Sequence, residues 1–310
     1  MRTALVGYTG FVGSNIAKNY HFDRVYNSKN IEESFGTNPD LLVFAGIRAE
    51  KFLANSEPEK DFDIIEKAIA NIKKINPKQL VLISTIDVYK KPVNVTEDTE
   101  IDTAHLQAYG ANRYYLEQAL REIYREMVVM RLPGLFGDNL KKNFIYDYLN
   151  VIPGMLRIEK LAELRSQIPN LDNFYYQISD QFFKCRALTE DEKKFLKEQF
   201  QSSSFSALNF TDSRGVFQFY DLSWLWFHIE KALENNIKVL NLATEPIQIE
   251  ELYYELSGKE FINELNGEPP YYDFRTKHTD ILGGQNGYLF DKNQVILQIK
   301  EYIQKQSQRN

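Results

Sequence analysis

Apolar residues in the first 132 positions form two alternating kinds of run. Short unbroken stretches at residues 3–7, 24–27, 40–45, 79–85 and 127–132 read as strands buried on both faces. Between them, apolar positions recur at three- and four-residue steps. The clearest set is Phe62, Ile65, Ile69, Ile72 and Ile75, which predicts a helix over 57–75. Ser56 and Glu59 have the spacing of a capping box at its start. Helices are also predicted over 11–20 and 108–125. Strands alternating with helices predict βαβ units and a parallel sheet covered on both faces.

After Pro133 the rhythm changes. Residues 143–206 are rich in aromatics and charges and read as helical, with no evident strand. A strand–helix pair over 216–233 and a strand over 239–243 follow, and 247–310 is mixed.

Composition narrows the classes. The 310 residues are 43% hydrophobic and 26% charged, as in ordinary globular proteins. Lys and Arg number 37 against 43 Asp and Glu, a net charge of −6, so no nucleic-acid partner is expected. The single cysteine, Cys185, rules out an intramolecular disulfide and a cysteine-based metal centre. His21, His105, His228 and His278 are scattered without metal-ligand spacing, so no metal is expected. No apolar run approaches the ~20 residues of a membrane span, and the N-terminal run is shorter than a secretory apolar segment. A cytoplasmic, soluble protein without a membrane partner is the expectation.

The first strand runs into Gly7-Tyr8-Thr9-Gly10-Phe11-Val12-Gly13, which opens a helix. Glycines at this spacing let the backbone turn and approach a diphosphate, and the helix start offers N–H groups. Strand, glycine triplet and helix at the head of a βαβ chain predict a dinucleotide site. The expected fold is therefore α/β: a Rossmann-type doubly wound parallel sheet with a smaller, mostly helical substrate-binding cap. The dinucleotide-binding domain is expected at 1–140 plus about 212–245, and the cap at about 141–211 and 246–310. After the second strand, where an acid ordinarily grips the adenosine ribose, the chain reads Tyr26-Asn27-Ser28-Lys29. Without an acid, and with Ser28 and Lys29 able to receive a 2′-phosphate, NADP(H) is slightly favoured over NAD(H).

The strand over 79–85 ends in Ser84-Thr85-Ile86-Asp87, and Tyr109-Gly110-Ala111-Asn112-Arg113 opens a later helix. Residues four apart share a helical face, so Tyr109 and Arg113 point together. A nearby cation lowers a phenol's pKa, so Tyr109 is expected to exchange a proton with a carbinol or carbonyl. Thr85 would orient the reacting oxygen.

These motifs resemble those of extended short-chain dehydrogenase/reductases of the NAD-dependent epimerase/dehydratase group. Tyr109-x-x-x-Arg113 is similar to the family's Tyr-x-x-x-Lys, with arginine in the lysine's place. Phe44-Ala45-Gly46-Ile47-Arg48-Ala49 resembles a cofactor-contacting turn of UDP-galactose 4-epimerases. Arg131-Leu132-Pro133 and Arg214 with Asp221 resemble later family positions, and Ile86 replaces the acid of the family's dehydratases. The resemblance covers residues 2–137 well and 212–245 moderately. It implies cofactor contacts at Gly7, Thr9, Gly10, Phe11, Val12, Gly13, Asn27, Ser28, Lys29, Phe44, Ala45, Gly46, Arg48, Tyr109, Arg113 and Pro133. It implies substrate contacts at Thr85, Asn143 and Arg214, the last on a nucleotide-sugar diphosphate. It further implies epimerisation or reduction at a sugar carbon, and often a homodimer. Two alternatives stand beside it: a non-catalytic NAD(P)-binding regulatory protein, and a ketoreductase of a non-sugar carbonyl.

Overall fold

The computed structural model describes residues 1–308. The chain divides into two compact units. One comprises residues 1–139, 216–247 and 270–310, and the other residues 140–215 and 248–269.

The first unit opens with β1 (Thr3–Val6), α1 (Phe11–Asn19), β2 (Arg24–Tyr26), β3 (Leu41–Phe44), α2 (Lys51–Ser56), α3 (Pro58–Ile75) and β4 (Gln79–Thr85). It continues with α4 (Ala108–Arg121), β5 (Val128–Leu132) and β6 (Gly134–Phe136). In the second unit follow α5 (Phe144–Leu149), β7 (Met155–Arg157), α6 (Ile158–Leu164), β8 (Tyr175–Gln177), β9 (Phe182–Cys185) and α7 (Glu190–Ser202). The remaining elements are β10 (Val216–Phe217), β11 (Phe219–Asp221), α8 (Leu225–Glu234), β12 (Val239–Asn241), β13 (Ile247–Gln248), α9 (Ile249–Ser257), α10 (Thr279–Leu282) and α11 (Lys292–Ser307).

Six parallel strands form the sheet in the order β12-β5-β4-β3-β1-β2. Every residue of β1, β3 and β5 is buried, as strands covered on both faces require. On one face, Ile65, Ile69, Ile72 and Ile75 of α3 meet Leu42, Leu80, Leu82 and Val129, together with Leu116 and Leu120 of α4. On the other, Ile16 of α1 and Trp226 and Ile229 of α8 meet Leu5, Val43, Val81 and Met130. The buried Trp226 stacks on Tyr20 with centroids 3.8 Å apart.

The structure corrects several expectations. The helix start is Pro58, whose missing N–H costs nothing at the first position, and no side chain caps it. The Ser56 hydroxyl instead donates to the Phe52 carbonyl, because Ser56 ends α2, a helix not foreseen. The stretch 143–206 contains the antiparallel sheet β7-β9-β8. Its strands are three or four residues long, too short for a two-residue alternation to register. Residues 270–310 belong to the sheet unit rather than the smaller one. There α11 buries Val295, Ile296 and Ile299, and Tyr302 meets Phe136 at 5.7 Å.

Candidate functional site

The topology reverses at β1, which pairs with β2 on one side and β3 on the other. In open α/β sheets ligands bind beyond the strand C-termini at such a switch point. There the glycines divide their labour. Gly7 has φ +95°, and a Cβ on it would lie 2.4 Å from the Ala45 carbonyl oxygen. A Cβ on Gly13 would lie 2.1 Å from the Gly7 carbonyl oxygen, so Gly7 serves close packing of the turn on the segment after β3, and Gly13 that of α1 on the turn. Gly10 is exposed, and a Cβ on it would meet only the Gly7 carbonyl oxygen, at 3.2 Å. It caps α1 with no side-chain hydrogen bond and no acidic residue in the first turn. The turn therefore presents amide groups and the positive end of α1, which suits the diphosphate of a dinucleotide.

The neighbouring strand ends carry the other predicted positions of this unit. Asn27 uses its side chain locally, accepting from the Lys29 amide at 2.9 Å, which leaves Ser28 and Lys29 exposed. Phe44 is buried, while Gly46 and Arg48 are exposed beyond β3. Pro133 follows β5 and is partly buried.

Thr85 ends β4; its hydroxyl accepts from the Asp87 amide at 3.2 Å and lies close enough to the Tyr109 phenol to help pull its pKa down. Tyr109 sits in the first turn of α4, and its amide donates to Asn55 Oδ1 at 2.9 Å. One turn later, the Arg113 guanidinium lies 4.4 Å from the Tyr109 ring centroid. The expected trio of Thr85, Tyr109 and Arg113 thus meets in one place. Arg113 is also paired with the buried Asp61 of α3, and its Nη2 donates to the Arg48 carbonyl at 2.8 Å. Asn112 donates to the same Asp61 carboxylate at 2.8 Å.

Burial overturns the expected tuning of Tyr109. Burial raises the phenol, Arg113 pulls it down, Asp87 pushes it up, and Thr85 and Lys51 pull it down; the balance lies above the ordinary value. Arg113, although paired with Asp61, exerts the largest downward pull, and burial outweighs it.

Three side chains that sequence reasoning passed over frame the open side. The Lys51 ammonium is 2.8 Å from Asp87 Oδ1 and donates to the Tyr272 hydroxyl at 3.4 Å. Tyr272 in turn donates to Asp87 Oδ1 at 3.3 Å. Together with Gln107 and Gly110 they line a cavity of about 260 Å³. Asp87 stood in a conspicuous motif, but nothing local marked Lys51 or Tyr272, which lie 36 residues before and 185 residues after it. Arg131 is structural: its guanidinium holds the buried Glu117 at 2.6 Å, and Glu117 also accepts from Ser84 at 2.5 Å.

The two remaining predicted residues belong to the second unit. Asn143 caps α5 by accepting from the Tyr146 amide at 3.1 Å. Arg214 is not an open anion ligand as expected: it pairs with Asp212 at 2.7 Å and Glu264 at 3.2 Å and donates to the Leu265 carbonyl at 2.9 Å. Two carboxylates on one guanidinium leave a net negative group.

The sheet order, the switch-point glycine turn and the all-parallel register define a Rossmann-type α/β fold. No family model matches the chain, and no curated protein matches it. Solved structures do. The dTDP-4-dehydrorhamnose reductase of Bacillus anthracis, in complex with NADP, is 14% identical, with a TM-score of 0.63 over 98% of each chain. The UDP-N-acetylglucosamine 4-epimerase of Methanobrevibacter ruminantium, in complex with UDP-N-acetylmuramic acid, is 13% identical, with a TM-score of 0.63 over 100% of this chain and 99% of that one. The Bordetella bronchiseptica enzyme WbmG, in complex with NAD and UDP, is 15% identical at the same TM-score, over 98% of this chain and 94% of its own. The chain shares the fold of these sugar-nucleotide enzymes.

Proposed function

We propose that the chain is an NAD(P)-dependent oxidoreductase or epimerase acting at a sugar carbon of a nucleotide-activated sugar. The observation that carries this reading is the meeting of Thr85, Tyr109 and Arg113 on the sheet edge that also holds the exposed Gly10 turn. The solved structures of the same fold, bound to NADP, NAD, UDP or a UDP-sugar, support it.

Gly7, Thr9, Gly10, Phe11, Val12 and Gly13 would hold the cofactor diphosphate. Ser28 and Lys29, both exposed, would take a 2′-phosphate, so NADP(H) is slightly favoured over NAD(H). The cofactor, when bound, accepts and returns a hydride. Tyr109 would carry the proton between its hydroxyl and the sugar oxygen, and Thr85 would orient that oxygen. A phenol raised by burial is neutral at ordinary pH and is poised to donate, which suits the reductive direction.

Tyr109→Phe is expected to cut turnover by about 10²–10⁴-fold, the usual worth of a general acid–base group. Calorimetric titration should find its NADPH affinity unchanged. Full turnover in this variant would end the proposal. A second reading, a non-catalytic dinucleotide-binding protein, draws on the Asp61–Arg113 pair, which spends the charge on structure. It gains ground if the wild type binds NADPH but reduces no keto-sugar nucleotide, while Arg113→Lys does.

A further inference from the structure

The active-site reading leaves Tyr109 with a compensated cation on one side. The other side is occupied by α2 and by the turn after β4. Two contacts tie both segments to Tyr109. Asn55, one helical turn after Lys51 and so on the same face of α2, accepts the Tyr109 amide at 2.9 Å. Gly110, the next residue after Tyr109, packs so tightly on the turn that a Cβ there would lie 2.0 Å from the Asp87 carbonyl oxygen. Lys51 and Asp87 thus sit on segments held against the start of α4, and their ion pair lines the cavity beside Gly110.

We propose that Lys51, held by Asp87 and Tyr272, is a positioning residue that adds a second positive charge, beside that of Arg113, to the Tyr109 site. The inference rests on the assignment of Tyr109 as the proton-transfer group. Lys51 carries three donors. Asp87 and Tyr272 take two of them, and the third remains for the cavity. The charged or titratable groups acting on Tyr109 are Arg113 on its own helix, Asp87 on the turn after β4 and Lys51 on α2; Asp61 of α3 acts through Arg113. Lys51 stabilises the phenolate and Asp87 opposes it. The pair therefore sets how readily Tyr109 gives up and regains its proton, and a substrate oxygen entering the cavity that took Asp87's place on Lys51 would strengthen the effect.

The test places difluorotyrosine at position 109 of the full chain. Its phenol titrates in the range where the protein is folded, and it gives a single fluorine NMR signal. Lys51→Met should raise its titration midpoint by about half a pH unit or more, through the lost Coulomb attraction. Lys51→Arg should return the midpoint towards wild type, and Asp87→Asn should lower it. An unchanged midpoint in Lys51→Met would overturn the proposal. So would equal shifts in Lys51→Met and Lys51→Arg, or shifts of the same sign in Lys51→Met and Asp87→Asn, since each means packing rather than charge. Full turnover in Tyr109→Phe would instead sink the proton-transfer reading while leaving this titration result in force.

Discussion

At the scale of single residues, the three glycines of the first turn separate fold from function. Gly13 has no room for a Cβ, whereas Gly10 faces outward. Gly10→Val should therefore leave the folded state largely intact and remove NAD(P)H affinity, which calorimetry reads directly. Gly13→Ala should act the other way and lower the unfolding midpoint, because backbone must move to admit the methyl group. All three glycines were legible in the sequence; their division of labour was not, because the clashing carbonyls come from residues 7 and 45. The Tyr109 phenol makes the same point. Its spacing to Arg113 was legible, but the sign of its shift depends on burial, which only the packed fold supplies.

At the scale of elements, the Asp61–Arg113 pair fastens α4 to α3, and Arg113 further holds the turn after β3 through the Arg48 carbonyl. Removing one partner of a buried pair strands the other charge. Arg113→Ala is expected to cost about 3–5 kcal/mol of stability, measured by urea unfolding. Arg113→Lys should cost less, since one ammonium can keep Asp61 while giving up the Arg48 carbonyl. The elements most legible in advance were those with sustained periodicity or unbroken burial, such as α3 and the core strands. The sheet β7-β9-β8 and the helix α2 were invisible because each offers too few residues for a period to emerge.

At the scale of the whole molecule, the two units should respond oppositely to acid. In the first, His228 is buried against the Tyr220 hydroxyl at 2.6 Å, and burial lowers its pKa to about 4. Its folded form sheds the proton that the unfolded chain binds, so its contribution is complete above about pH 6.5 and is lost as pH falls through about 4. In the second, burial raises the Asp147 carboxyl to about 7. A raised acid favours the folded state at low pH, and that contribution fades as pH rises through about 7. Hydrogen exchange followed from about pH 7 to about pH 4.5 should show protection falling around α8 and rising around α5. His228→Gln and Asp147→Asn should each flatten the corresponding slope. Equal slopes in the two units would refute the assignment.

What the sequence determined by itself was whatever local periodicity and nearest-neighbour chemistry encode. The alternating strands and helices, the glycine turn between β1 and α1, the missing acid after β2 and the Tyr109–Arg113 face all lie within windows of a few residues. What only the tertiary structure decided required segments far apart in the chain to meet. Folding brought Asp61 to Arg113, Lys51 and Tyr272 to Asp87, and Glu264 to Arg214. It also placed residues 270–310 with the sheet. Charge is the reason these contacts matter. A side chain's type is written in the sequence, but whether its charge is free, compensated or desolvated depends on neighbours that only the fold supplies.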